Sequence, residues 1–290
     1  MIAPTRRGNS ISISFEAFPR GDLLRSLGDA RSIIARAVSG SRATILGSSF
    51  IGLEAAAALR TRGVEVDIVS PENVPFARVF GHQVGGMLQR LHERNGVRFH
   101  LGRVAARYDG NSVILADGSE VPADFVLVGI GVRPRTELAE TALLEVQDGV
   151  LVDHHLETSA SGIYAAGDIA RYPDPLTGER LRIEHWVVAE RQGQVAAANM
   201  LGLKKVFDTV PFFWTEQYGV SLRYVGHASD WDDLTIEGDL DAGEFIARYH
   251  LEGVHRASLS VGRDLDSLKD ELKFEQLIAQ TRIADNRTGT

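Results

Sequence analysis

The chain has no cysteine among its 290 residues. That excludes disulfide scaffolds, cysteine-ligated metals, iron–sulfur clusters and every dithiol redox centre. If the protein moves electrons, it must do so on a bound organic cofactor and hand them to something outside the chain. It also lacks a broad basic field. With a net charge of −8 and a pI near 5.6, nothing would neutralise phosphates, so nucleic acid is not an expected partner. No apolar run approaches the length of a membrane span. Arg6 and Arg7 have no hydrophobic stretch behind them, so no signal peptide is expected and the chain reads as cytoplasmic.

What is present is ordinary globular composition, 44% hydrophobic and 24% charged, in a length that suggests about two domains. One stretch organises the rest. The apolar run Ala43 to Leu46 ends at Gly47, and Gly52 stands at the start of an alanine-rich helical segment reaching Arg62. This is the strand–turn–helix opening of a dinucleotide-binding βαβ unit, where a pyrophosphate rests on backbone N–H groups at a helix N-terminus. Gly47 makes the tight turn and Gly52 lets helix and strand pack closely, while Ser49 replaces the middle glycine of the fingerprint. Gly63 closes the helix, and Val64 to Val69 is a second, parallel strand. The residue that reads the ribose is expected about 20 residues past the first glycine. Ser70 stands there, with Glu72 near enough to hold ribose hydroxyls and Arg78 able to meet a 2′-phosphate. NAD(H) and NADP(H) both remain open.

The same unit continues with a helix over His82 to Asn95 and a strand from Val97 to Leu101. Two Asp-Gly turns, at 109–110 and 117–118, separate the segments Val104 to Tyr108, Ser112 to Leu115 and Glu120-Val121. They predict an antiparallel meander inserted in the parallel unit. Phe125 to Val128 is apolar throughout, as suits a strand buried on both faces. Upstream, Ser10 to Ser14 could form a short strand, and Gly28 to Val38 a connecting helix with Asp29 near its start. Downstream come a short helix (Thr136 to Leu144), a strand (Gly149 to Val152), a strand delivering Asp168 just beyond its end, and a helix from Ala189 to Leu201. The aromatic-rich remainder carries strands at Ser221 to Val225, Leu234 to Glu237 and Phe245 to Leu251, then a helix from Asp264 to Gln280. His154-His155 is a tempting metal pair, but neighbours in a strand point opposite ways, so no metal is expected.

Several motifs, in one order, resemble the FAD-dependent pyridine-nucleotide oxidoreductases of the ferredoxin/rubredoxin reductase type, including the apoptosis-inducing-factor-like reductases. They are Gly47-Ser-Ser-Phe-Ile-Gly52-Leu-Glu54, Val128-Gly-Ile-Gly131-Val-Arg133-Pro134, Thr158 to Gly167-Asp168, Glu184-His185-Trp186 with Gln192-Gly193, and Val210 to Tyr218. The resemblance implies that Gly47, Ser48, Ser49, Ile51 and Gly52 receive the pyrophosphate and that Glu54 lies near the nicotinamide. Gly131 belongs to the exit from that domain. Gly167 and Asp168 would hold the ribityl or phosphate part of FAD, and His185, Trp186 and Trp214 would lie beside the flavin or nicotinamide rings. The alternative for the tryptophans is core packing. No side chain need act as acid or base, since hydride passes between stacked rings from which water is excluded.

The resemblance also implies a division: 1–40 a connector, 41–134 the NAD(P)-binding domain, 135–203 half of an FAD-binding domain, and 204–290 a C-terminal α+β reductase domain. The family's first glycine-rich motif, which takes the ADP half of FAD, has no counterpart in the sequence. The chain is therefore expected to be a fragment or a truncation, and whether FAD binds it stays open. Apolar surface left bare on the half-domain would be covered by a homodimer contact. Two functions remain: a flavin reductase feeding a ferredoxin- or rubredoxin-like carrier from NAD(P)H, or a non-catalytic NAD(H)-binding or interaction module.

Overall fold

Phe18 and residues 21–288 are described in the computed structural model, with side chains as far as Thr281. The strand expected between Ser10 and Ser14 lies outside the described residues. The chain divides into two compact units, and we take each by itself. One holds the described residues of Pro4–Gly131 together with Thr215–Val220; the other holds Val132–Trp214 and those of Ser221–Thr290.

The first unit begins with helix α1 (Leu27–Arg36). A capping box starts it: Asp29 N–H donates to Ser26 Oγ, and Ser26 N–H donates to the Asp29 carboxylate. The βαβ core follows as β1 (Arg42–Leu46), α2 (Phe50–Thr61), β2 (Glu65–Ser70), α3 (Ala77–Arg94) and β3 (Val97–Leu101). Strands β4 (Ala105–Tyr108), β5 (Ser112–Leu115) and β6 (Glu120–Pro122) form the antiparallel meander as a sheet of their own. The chain then returns in β7 (Phe125–Val128), which pairs with β1. The main sheet is parallel, in the order β3-β2-β1-β7. Strands β1 and β7 are nearly inaccessible along their length, which is why they read as continuous apolar runs.

Helix α3 starts five residues before the expected His82. The backbone breaks helical geometry at Gly81 (φ 82°), and a turn of helix precedes the break because Phe76 and Phe80 must be buried, edge-on to Phe50. Asp67, a charge inside a strand, is buried but satisfied. It accepts from Arg98 at 2.7 and 3.0 Å and pairs with His100 Nε2 at 2.8 Å. Burial pushes its carboxyl up, but the His100 and Arg98 bonds outweigh this and hold it below the usual range.

The second unit opens with α4 (Glu137–Thr141) and a small sheet of β8 (Val150–Leu151), β9 (Ala170–Pro173) and β10 (Arg180–Leu181), in the order β10-β9-β8. Helix α5 (Trp186–Met200) begins three residues before the expected Ala189. A five-stranded antiparallel sheet follows, ordered β11-β12-β15-β14-β13, from β11 (Phe212–Gln217), β12 (Val220–Gly226), β13 (Asp233–Asp239), β14 (Glu244–Leu251) and β15 (Val254–Val261), of which Thr215–Gln217 and Val220 belong to the first unit. Helix α6 (Asp264–Thr288) buries Phe274 and Ile278 against Val210 and Val225. It also buries Asp270, which accepts from Ser258 Oγ at 2.6 Å and Arg248 Nε at 2.8 Å. Strand β15 had no clear sequence signal because Ser258 and Ser260 sit inside, 1% exposed, and break the apolar alternation.

The α6 core gives a stability test. Phe274 is fully buried, so Phe274→Ala is expected to cost about 3–5 kcal/mol, measured by urea unfolding of the purified chain.

Candidate functional site

In the first unit, the turn between β1 and α2 is built by an absence of side chains. Gly47 has φ +105°, and a Cβ there would stand 2.5 Å from the Gly129 carbonyl oxygen; a Cβ on Gly52 would overlap the Gly47 carbonyl oxygen. Both glycines are therefore required, one for its backbone angle and the other for helix-on-turn contact. Ser49 is the N-cap of α2, in extended geometry, and its side chain makes no capping bond. The first turn of α2 carries no acidic residue either. The leading amides of a 12-residue helix thus have no side-chain acceptor, which suits a pyrophosphate.

The neighbouring residues are arranged less simply. Ser48 and Ser70 are 3% and 2% exposed, and Ser48 Oγ donates to Ser70 Oγ at 2.8 Å. Their hydroxyls are spent on each other, which leaves Ser48 its main chain for a ligand. Ser70 Oγ also accepts from the Glu72 amide at 3.3 Å. Glu72 and Arg78, the two candidate ribose readers, pair with each other at 3.2 Å. Burial pushes the Glu72 carboxyl up, partly countered by Arg78. Ile51 is partly buried at the helix start, and Gly131 (φ +117°) follows the exposed Ile130 past the end of β7. Glu54, on the exposed side of α2, accepts a 2.5 Å hydrogen bond from Thr215 Oγ1. Sequence reasoning gave Thr215 no role. The signal it could have used is weak: Thr215 and Gln217 alternate on one face of β11.

In the second unit, Gly167 (φ +84°) donates its N–H to Gln192 Oε1 at 2.7 Å, from a glutamine only 1% exposed on α5. Asp168 is exposed. It does not end a strand, as expected: an isolated Glu157–Tyr164 bridge precedes it and β9 begins just after it. Arg182 props this loop, donating to the Asp168 carbonyl at 3.2 Å and to Glu184 Oε1 at 2.5 Å. His185 is the N-cap of α5, its Nδ1 accepting from the Val187 amide at 3.3 Å. Burial lowers the His185 imidazole below its ordinary value, which favours the neutral ring such a cap needs. Around it stand Trp214 at 5.4 Å, Phe213 at 5.9 Å and Trp186 at 6.0 Å between ring centroids, and the two indoles meet edge-on at 5.4 Å.

Trp186 is 59% and Trp214 38% exposed. That sets core packing aside for both. The exposed indoles around His185 suit a flat ring, and the exposed Asp168 carboxylate after the left-handed Gly167 suits a polyol chain. The Gly47–Gly52 turn is a strand–turn–helix cradle whose helix start has no side-chain cap. His154 and His155 lie in a turn instead of a strand, with His155 Nδ1 2.9 Å from the Lys205 carbonyl. Among the described residues no cluster of His, Cys, Asp or Glu could hold a metal ion.

Comparison with known proteins adds the following. Residues 7–193 match the pyridine nucleotide-disulphide oxidoreductase family, and residues 212–289 match the reductase C-terminal family. The chain is 35% identical over 274 residues to the ferredoxin--NAD(+) reductase component of the anthranilate 1,2-dioxygenase system of Burkholderia cepacia, covering 92% of this chain and 67% of that protein. It is 33% identical to human apoptosis-inducing factor 3, over 86% of this chain and 42% of that one. Among solved structures, the covalent putidaredoxin reductase–putidaredoxin complex matches with a TM-score of 0.86 and 27% identity, over 95% of this chain and 67% of the matched one. The chain thus spans between about two fifths and two thirds of the length of these relatives.

Two substitutions test the cradle. Gly52→Val should abolish NADH binding, measured by quenching or enhancement of coenzyme fluorescence, because the new side chain must push the turn away from the helix. Ser70→Glu should shift the NADH/NADPH affinity ratio toward NADH, by about tenfold if the new carboxylate meets the ribose hydroxyls. An unchanged ratio would place the ribose elsewhere.

Proposed function

Since the chain belongs to the pyridine nucleotide-disulphide oxidoreductase family, we propose that it works as an NAD(P)H-dependent flavin oxidoreductase that passes electrons to a small ferredoxin- or rubredoxin-like carrier. The observation that carries this reading is the cradle at Gly47–Gly52, where two glycines can bear no side chain and the amides of α2 face no acid. The relatives named for ferredoxin reduction support the carrier. The proposed layout is a coenzyme domain over 41–134, half of a flavin domain over 135–203 and a reductase-type domain over 204–290, after a connector.

Within this reading, Gly47, Ser49, Ile51 and Gly52 hold the coenzyme diphosphate through main-chain amides, with Ser48 contributing its backbone alone. Gly131 shapes the far wall, and Ser70, Glu72 and Arg78 border the ribose. Glu54 orients the nicotinamide. Gln192 fixes the turn at Gly167 so that Asp168 can accept from ribityl hydroxyls. His185, Trp186 and Trp214 would lie beside the flavin ring and keep water from it. FAD, when bound, supplies an acceptor of two electrons that can release them one at a time. No side chain of this chain is needed as acid or base. A cytoplasmic setting and a homodimer belong to the same reading, as does the absence of nucleic-acid and membrane partners. Among the described residues no helix is long and apolar enough to cross a membrane.

The competing reading, an NAD(H)-binding module without turnover, is separated from this one by a spectrum. Incubated with FAD and freed of excess, the protein should be yellow, and its flavin absorbance should bleach on anaerobic addition of NADH. A colourless protein that still binds NADH would establish the module instead. In the coloured protein, Trp186→Ala should slow bleaching by about tenfold with little change in NADH affinity, measured by stopped-flow absorbance.

A further inference from the structure

Three polar side chains of the first unit are sealed from water and meet end to end. His92, Gln217 and Thr215 are 0%, 1% and 2% exposed. His92 Nε2 lies 2.6 Å from Gln217 Oε1, Gln217 Nε2 lies 3.2 Å from Thr215 Oγ1, and Thr215 Oγ1 lies 2.5 Å from Glu54 Oε1. At the far end the Tyr218 hydroxyl is 3.5 Å from His92 Nδ1.

The direction of every proton in this series follows from its last member. Thr215 Oγ1 donates to Glu54 Oε1, which uses its single hydroxyl proton. Thr215 must then accept from the Gln217 amide NH2, which turns the Gln217 carbonyl toward His92. His92 must carry its proton on Nε2, which leaves Nδ1 to accept from the Tyr218 hydroxyl. Burial lowers His92 below the ordinary imidazole value and pushes Tyr218 up to about 12, so both hold the required protonation state at neutral pH. All four donors point the same way. A network serving only to satisfy buried groups would close among buried partners; this one ends on an exposed side chain of the coenzyme-binding helix.

We propose that Thr215, Gln217, His92 and Tyr218 form a positioning relay for Glu54, fixing its carboxylate through Oε1 so that Oε2 is presented to the carboxamide N–H donors of a bound nicotinamide. Aligned hydrogen bonds reinforce one another in a low-dielectric interior, and the bond to Glu54 is charge-assisted. The relay rests on the coenzyme reading above. It adds that the turn joining β11 to β12 sets how the reactive end of the coenzyme is held, with no contact to the coenzyme itself.

The test compares two ligands that share the pyrophosphate and adenosine but differ at the nicotinamide. Binding of NADH and of ADP-ribose to the full chain is measured by calorimetry. Thr215→Val should weaken NADH about tenfold and leave ADP-ribose unchanged, while Thr215→Ser should restore NADH to within about twofold. Tyr218→Phe, on the half-buried turn, should weaken NADH alone by about twofold to threefold, and decides the matter if Thr215→Val does not fold. In a Glu54→Gln background, Thr215→Val should add little further loss. Equal loss of both ligands would show a merely structural role and overturn the relay, as would unchanged NADH affinity in both Thr215→Val and Tyr218→Phe. If the wild-type chain bound neither ligand, the coenzyme reading would fall first and the relay with it.

Discussion

The structure depends on one close approach. At the end of β1 the chain must turn sharply, let α2 descend onto the turn and let β7 pass alongside, all within the space of a few backbone atoms. Gly47 faces the Gly129 carbonyl and Gly52 faces the Gly47 carbonyl, at distances no Cβ could share. Sterics here do the work that charge does elsewhere. Because the backbone is so tight, the amides of α2 end up bare and convergent, and a diphosphate is the natural complement. The sheet order β3-β2-β1-β7 then carries Ser70, Glu72 and Gly131 to the same ends of their strands as this turn.

Most of this core was legible in the sequence. The turn glycines, the parallel strands, the meander between its Asp-Gly turns and the buried run of β7 all announce themselves by period or by residue type. The errors have physical causes. Gly81 breaks helical geometry inside α3, so the phenylalanines before it looked like loop residues. Ser258 and Ser260 occupy interior positions of β15, where Ser258 is needed by Asp270. Asp168 was expected after a strand, but a single bridge suffices there, because Gln192 and Arg182 hold the loop from outside.

The candidate site was legible in part. The cradle could be read from spacing, and the open aromatic group around His185 from a resemblance. What could not be read is how polar groups answer one another across the fold. Glu54 and Thr215 are 161 positions apart, and His92 and Gln217 are 125 apart. Ser48 and Ser70 looked like two independent ligands of a coenzyme, yet each completes the other. Glu72 and Arg78 looked like rival readers of a ribose, yet they form one ion pair. Sequence supplies the chemical types; folding decides which of them are already occupied.

The loop between β11 and β12 has only two residues, Tyr218 and Gly219, both left-handed at φ 54° and 77°. Such a loop permits a single alignment of its strands. A slip by one place would invert both faces of β11, turning Trp214 inward and Thr215 outward. One short bend therefore acts as a clutch for the whole strand: the openness of an indole and the concealment of a hydroxyl are set together, and neither can be lost without the other.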